Sequence, residues 1–238
     1  MDAIYAADLT KRYKDKTAVD GISFSVKEGE CLALLGVNGA GKTTTIRMLS
    51  CLSEPNGGEA KIFGHSVKSE KDEVKKLVGI STQDTAVAEN LTVEENLLFM
   101  TSLYLEKKDC KERTEEIIKM FHLKEVRNKK AKTLSGGWKR KLSIAMAIIG
   151  RPKVLFLDEP TLGLDVLARR ELWKEIEALK SSMTIILTTH YMEEAESLSD
   201  RIAIMINGKI KAEGSLEELE KMTGQTGLEN VFVNIAEQ

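Results

Sequence analysis

Apolar residues along the chain recur at two spacings, and the switch between them lays out the predicted elements. Short apolar runs at residues 31–35 and 154–157 read as buried parallel strands, since a strand covered on both faces has no polar side to show. The stretch 184–187 predicts a further strand. Residues 4–9 and 18–26 alternate only in part, with the charged segment 11–16 between them, and predict short antiparallel strands joined by a polar turn. Pro55-Asn56-Gly57-Gly58 predicts a turn into a strand over 59–63, and 77–81 predicts another. Asn207-Gly208, flanked by 201–206 and 209–212, is a two-residue hairpin signal.

From residue 91 to about 132 the period lengthens to that of helices. Leu97, Met100, Leu103 and Tyr104 share one face behind Thr92-Val93-Glu94-Glu95, which has capping-box spacing. Asp109 with Glu112 predicts the cap of a second helix carrying Ile117, Ile118 and Phe121, with 112–116 as its solvated face. Trp138, Leu142, Ala145, Met146 and Ile149 form one continuous stripe behind Ser135, an N-cap residue type. Leu172, Ile176 and Leu179 mark the inward face of a later helix, and 216–238 predicts one short helix and a terminal apolar segment, Val231-Phe232-Val233.

Length and charge narrow the reading. The 238 residues suffice for one large α/β domain or a domain with an insertion. Lys plus Arg number 35 against 37 Asp plus Glu, so no overall positive field invites nucleic acid. Cys31, Cys51 and Cys110 are odd in number and far apart, as expected of reduced thiols. Met1-Asp2-Ala3 lacks the basic and apolar regions of a signal peptide, and no run approaches the ~18 apolar residues of a membrane span.

The candidate chemistry centres on residues 36–44, Gly-Val-Asn-Gly-Ala-Gly-Lys-Thr-Thr, which fit the phosphate-loop pattern between a strand and a predicted helix over 44–52. Gly36, Gly39 and Gly41 let the backbone wrap closely around a polyphosphate, with Asn38 and Thr44 in the same loop. Lys42 can reach the β- and γ-phosphates, and the Thr43 hydroxyl is placed for Mg²⁺. Asp158 and Glu159 end an apolar strand, where unpaired acids are costly to bury, and read as ligands for Mg²⁺ and water. Strand geometry turns successive side chains to opposite sides, so the two acids need not share a role. Four further signals stay open on their own. Tyr13 either packs on the surface or stacks on a ligand, and Gln83 is either a loop residue or a ligand group. Ser135-Gly136-Gly137 is either a helix cap or a set of exposed backbone donors, and His190 sits past a strand end either packed or functional.

Standing in this order, the motifs resemble those of the ATP-binding subunit of an ABC transporter, with Leu134-Ser135-Gly136-Gly137 as the defining segment. Thr189-His190-Tyr191-Met192-Glu193-Glu194-Ala195-Glu196, the Thr161-to-Asp165 loop and the Leu228-to-Phe232 tail are similar to the exporter group that includes drug, antibiotic and sodium efflux systems. The resemblance implies an α/β fold: a P-loop NTPase core with a mostly parallel sheet, an N-terminal antiparallel β subdomain and an inserted α-helical subdomain. Within a single domain over 1–238, 1–85 and 152–215 would form the core, 86–151 the helical subdomain and 216–238 a C-terminal extension.

It further implies ATP and Mg²⁺, with Tyr13 stacking on adenine, Thr43, Gln83 and Asp158 around the metal, Glu159 as general base and His190 on the γ-phosphate. Ser135 and Gly137, with Gly136 between them, would bind the γ-phosphate held by a second copy or a homologous subunit, and Asp165 would lie at that interface. The implied partner is an integral membrane permease, and the implied place the cytoplasmic face of the membrane. Trp138 departs from the family pattern, which has glutamine there, and reads as the start of the helix stripe. Soluble relatives in translation or repair usually resemble tandem domains or carry a long coiled-coil insertion, for which the Gln83-to-Ser135 interval leaves no space, and Glu159 with His190 speaks against a non-hydrolysing regulatory subunit. Asn128-Lys129-Lys130-Ala131 lacks the acid that reads guanine, which disfavours a GTPase.

Overall fold

The computed structural model describes residues 2–237. Met1, part of the N-terminal reading, and Gln238, the end of the tail, lie outside them. β1 (Asp2–Tyr13) and β2 (Lys16–Lys27) form a long antiparallel hairpin. Residues 11–13, expected as turn, extend the ladder instead, pairing Lys11 with Val19, Arg12 with Thr17 and Tyr13 with Lys16, and the turn is only Lys14-Asp15. An antiparallel sheet with one wet face accepts charged residues on that face, which is why polarity misplaced the strand end. β4 (Gly57–Ile62) adds to β1, and β5 (His65–Ser66) to β4, giving the order β2-β1-β4-β5.

The second sheet has the order β10-β9-β3-β8-β7-β6. Its members are β3 (Cys31–Leu35), β6 (Val78–Ser81), β7 (Val154–Asp158), β8 (Thr184–Thr189), β9 (Arg201–Ile206) and β10 (Lys209–Gly214). All pairs are parallel except β9 with β10, which turn through Asn207 and Gly208, both at positive φ. The central strands serve two cores by simple alternation. Cys31, Ala33, Leu155, Leu157, Ile185 and Leu187 pack with the helices, whereas Leu32, Leu34, Val154, Phe156 and Ile186 pack under the antiparallel sheet.

The helices are α1 (Lys42–Leu49), α2 (Lys71–Leu77), α3 (Val93–Tyr104), α4 (Lys107–Met120), α5 (Gly136–Ala147), α6 (Val166–Lys180), α7 (Met192–Leu198), α8 (Leu216–Thr223) and α9 (Leu228–Ala236). Several differ from expectation. α1 starts two residues early and stops at Leu49, with Cys51 already at φ 60°. α2 and β5 had no sequence signal; α2 buries only Val74 among charged residues. The capping box at Thr92 and Glu95 is present, but Leu103 and Tyr104 are exposed, and α3 turns Val93, Asn96, Leu97 and Thr101 inward. α4 begins earlier than expected, with Glu106 in the N-cap position but making no side-chain cap bond, so Asp109 lies within its first turn. Arg113, expected on a solvated face, is buried and donates to the carbonyls of Ile148 and Ile149 just past α5, which therefore ends before Ile149. The tail folds as two helices rather than one, because Gly224 and Gly227 break it. No helix among the described residues is long and apolar enough to cross a membrane.

Candidate active site

The loop from Gly36 to Gly41 joins the end of β3 to α1, and two of its glycines are there for space. A Cβ on Gly36 would lie 2.4 Å from the Met205 carbonyl oxygen of β9. Gly41 has φ 108°, and its Cβ would meet the Ala18 oxygen at 2.5 Å. No side chain caps α1, so its first amides have no intrahelical acceptor and remain available to an anion. Lys42, buried, donates from Nζ to the Gly36 carbonyl at 2.6 Å and lies 3.4 Å from Glu159 Oε1. Burial pulls its pKa below the ordinary lysine value, opposed by the charges of Glu159 and Asp158.

The two acids at the end of β7 point to different partners. Asp158 Oδ1 accepts from Thr43 Oγ1 at 2.9 Å and from Thr188 Oγ1 at 2.6 Å. Glu159 sits at φ 48°, a left-handed conformation that costs a non-glycine residue ~1–2 kcal/mol. Its N–H donates to the carbonyl and the hydroxyl of Thr188, and this break in the strand swings the carboxylate toward Lys42 and His190. His190 Nδ1 lies 2.9 Å from Glu159 Oε2, although the angle is not that of a hydrogen bond.

Gln83 is exposed on the loop after β6, and Arg140 of α5 fixes that loop by its backbone. Arg140 is 3% exposed and donates to the carbonyls of Thr82 (2.6 Å), Gln83 (3.1 Å) and Glu159 (2.7 Å). Burial lowers its pKa, with Asp158 the first of the charges that oppose this, and it ties the helical insertion to two segments of the site. Sequence reasoning missed Arg140, because Lys139, Arg140 and Lys141 stand in a row and spacing does not choose among them.

These elements enclose a cavity of about 430 Å³ lined by Tyr13, Lys16, Asn38, Thr44, Gln83, Glu159 and the rest of the loop from Gly39 to Thr43. Lys16 and Leu162, also on its wall, were not singled out from the sequence. Tyr13 is exposed at the mouth with the Lys11 ammonium 5.1 Å above its ring. Gly36, Asp158 and His190 do not line it, although His190 lies beside Glu159, which does. Ser135, Gly136, Gly137 and Asp165 do not line it. Ser135 occupies the N-cap of α5 with its hydroxyl capping nothing, and a Cβ on Gly137 would touch Ala168 of α6 at 3.3 Å. Asp165 caps α6, accepting from the N–H groups of Leu167 and Ala168.

No cluster of three or more His, Cys, Asp or Glu residues that could hold a metal occurs among the described residues. The donors at hand are the Thr43 hydroxyl, the Asp158 carboxylate and the Gln83 amide. A sparse all-oxygen set fits Mg²⁺, which keeps several waters and takes phosphate oxygens as further ligands. The uncapped amides at the start of α1 and the buried Lys42 that begins it fit the phosphates of ATP.

The ABC transporter family model matches residues 19–162. The chain is 43% identical over 228 residues to the daunorubicin/doxorubicin resistance ATP-binding protein DrrA of Streptomyces peucetius, spanning 95% of this chain and 69% of that one. It is 42% identical over 212 residues to the human phospholipid-transporting ATPase ABCA3, of which it spans only 12%. Among solved structures, an ATP-binding subunit of an ABC transporter superposes with a TM-score of 0.87 at 30% identity, covering 98% of this chain and 99% of that one. A dimeric ATP-binding cassette in a post-hydrolysis state with ADP and Pi superposes with a TM-score of 0.81 at 26% identity, covering 90% and 98%. The shared cassette architecture and these sequence likenesses lead to one conclusion: the chain belongs to the ABC transporter family, as an ATPase cassette.

Proposed function

We propose that this cassette works as a head-to-tail pair closed around two ATP·Mg²⁺ and drives export through a separate membrane-spanning partner, from the cytoplasmic face of the membrane. The observation that carries the paired reading is the division of the site. Lys42, Thr43 and Glu159 line one cavity with Asp158 bonded to Thr43, while Ser135, Gly137 and Asp165 lie off it with the Ser135 hydroxyl unused as a cap. A second copy could bring those groups to the open side. The dimeric form of the related post-hydrolysis cassette supports this. The resistance protein of Streptomyces peucetius supports an export role, and the exposed apolar side chains of Phe99 (56%) and Leu103 (63%) on α3 support a docked partner.

Within the site the chain's own groups divide the work. ATP with Mg²⁺ supplies the phosphoryl group and the charge that neutralises its oxygens. The loop amides and Lys42 hold the phosphates, Thr43, Asp158 and Gln83 hold the metal and its waters, and Tyr13 offers a face for the base. Glu159, held beside His190, accepts a proton from the attacking water, and His190 orients the same region. Lys42 rests on Glu159 at 3.4 Å, so drawing Lys42 onto phosphate releases that carboxylate for its task.

The test is Glu159→Gln. It should retain ATP, slow Mg²⁺-dependent hydrolysis by ~10²- to 10⁴-fold and accumulate an ATP-bound dimer in sedimentation velocity. Hydrolysis at the wild-type rate would sink the base assignment. Recovery of a multi-span membrane protein with the tagged chain from a detergent extract tests the partner.

A further inference from the structure

Glu194 lies outside the cavity, yet it is 0% exposed, and a carboxyl so placed is costly unless it is bonded. Its Oε1 accepts from Thr161 Oγ1 at 2.7 Å and from Trp173 Nε1 at 3.1 Å, and Glu194 itself lies on α7, the helix that follows His190. The two donors, and the turn that leads into α7, belong to different parts of the machinery. Thr161 stands two residues after Glu159 in a tight turn, where Leu162 N–H donates to the Glu159 carbonyl and Leu164 N–H to that of Thr161. Thr189 immediately precedes His190, and its hydroxyl accepts the Tyr191 N–H at 2.9 Å, which shapes the turn carrying the imidazole. Trp173 lies on α6, the helix that Asp165 caps.

The surroundings reinforce the arrangement. The Arg169 guanidinium lies between the rings of Trp173 and Tyr191, 5.5 and 5.4 Å from their centroids, and the Tyr191 ring is 4.2 Å from that of His190. Glu194 Oε2 has no hydrogen-bond partner in the protein, so the carboxyl acts through one oxygen. Replacing it with an apolar side chain would leave the buried Thr161 hydroxyl and the Trp173 N–H without their acceptor.

We propose that Glu194 is a positioning residue for hydrolysis: its buried carboxyl, carried on the helix that follows His190, joins that helix to the turn after Glu159 and to α6, and so sets the two catalytic side chains relative to each other. The inference rests on the hydrolytic reading above and adds to it a residue that touches neither nucleotide nor water. Burial raises the pKa of Glu194 above the ordinary carboxylate value, which favours the neutral form. A neutral amide is therefore a fair substitute, since its oxygen can accept the same two hydrogen bonds.

The experiment compares steady-state Mg²⁺-ATPase activity and equilibrium ATP binding for wild type, Glu194→Gln, Glu194→Ala and Thr161→Val. Glu194→Ala should lower kcat by about 10- to 100-fold, the usual scale for misplacing catalytic groups by an ångström, at unchanged KM and ATP affinity. Glu194→Gln should keep kcat within about threefold of wild type. Thr161→Val, which preserves shape and removes one bond, should lower kcat in the same sense and serves if the alanine variant does not fold. Wild-type kcat in Glu194→Ala, or in Thr161→Val where the alanine variant does not fold, would overturn the inference, as would equal losses in the alanine and glutamine variants or a change confined to KM. A wild type without Mg²⁺-dependent ATPase activity would overturn the hydrolytic reading itself, which separates the two failures.

Discussion

Arg140→Met removes the cation that joins the helical insertion to the site while keeping most of its stem volume. Three charge-assisted hydrogen bonds are lost, at 2.6, 3.1 and 2.7 Å. Bonds to charged groups contribute roughly 1.5–3 kcal/mol each, but simple addition overstates the loss. Gln83 is exposed and Thr82 half-buried, so water can replace the donor there. The carbonyl of the buried Glu159 is deeper, yet it keeps the Leu162 N–H at 3.2 Å. Restoring an apolar side chain also relieves the desolvation of the guanidinium. The expected net loss is about 2–4 kcal/mol, or a fall in Tm of roughly 5–15 °C for a chain of this length. Urea denaturation followed by circular dichroism reads the loss directly, and ATPase turnover should fall with it because Gln83 and Glu159 are no longer held from one side. Arg140→Lys should rescue little, since an ammonium cannot span three carbonyls as a guanidinium does. A loss below about 1 kcal/mol at unchanged m value, with normal turnover, would refute the reasoning.

Gly36→Ala places a Cβ 2.4 Å from a backbone oxygen of β9, so the loop must shift; ATP affinity should fall more than about tenfold by equilibrium titration, and an unchanged affinity would mean the approach relaxes freely. Trp138 packs half-buried against the helical core with the Lys141 ammonium 5.1 Å over its ring, so Trp138→Gln should change turnover by less than about tenfold, and a larger change would assign the indole a direct role. Glu194 also predicts a pH trend. Its folded pKa is raised, so above the ordinary carboxylate pKa the unfolded chain releases a proton that the native state keeps, and stability falls as pH rises through that window. Denaturation midpoints at pH 5 and pH 7.5 should show wild type losing ground to Glu194→Gln at the higher pH, and a gap independent of pH would contradict the shift.

Local pattern was enough to place several elements, and the order of the motifs carried the resemblance that gave the fold class. The apolar runs of β3, β7 and β8, the phosphate-loop spacing, the Thr92 capping box and the Asn207-Gly208 hairpin each depend on backbone period or on bonds spanning a few residues, so they can be read without knowing the neighbours. Where polarity was the only guide, the reading failed. Residues 11–13 are strand because β2 pairs with them, and Leu103 and Tyr104 are exposed because α3 turns Asn96 and Thr101 inward.

The motifs along the chain were likewise legible as types of chemistry, but not as an arrangement. That Lys42 rests on Glu159, that Ser135 and Asp165 stand away from the cavity, and that Arg140 rather than Lys139 reaches two loops are matters of which distant elements meet. Glu194 is the clearest case, one of three glutamates in Glu193-Glu194-Ala195-Glu196, distinguished only by burial against Thr161 and Trp173. The sequence alone determined the periods, caps and glycines, since these act within a turn or a strand. Tertiary structure decided which charged groups lose water, because that cost is set by the carbonyls, hydroxyls and rings that other parts of the chain bring to meet them.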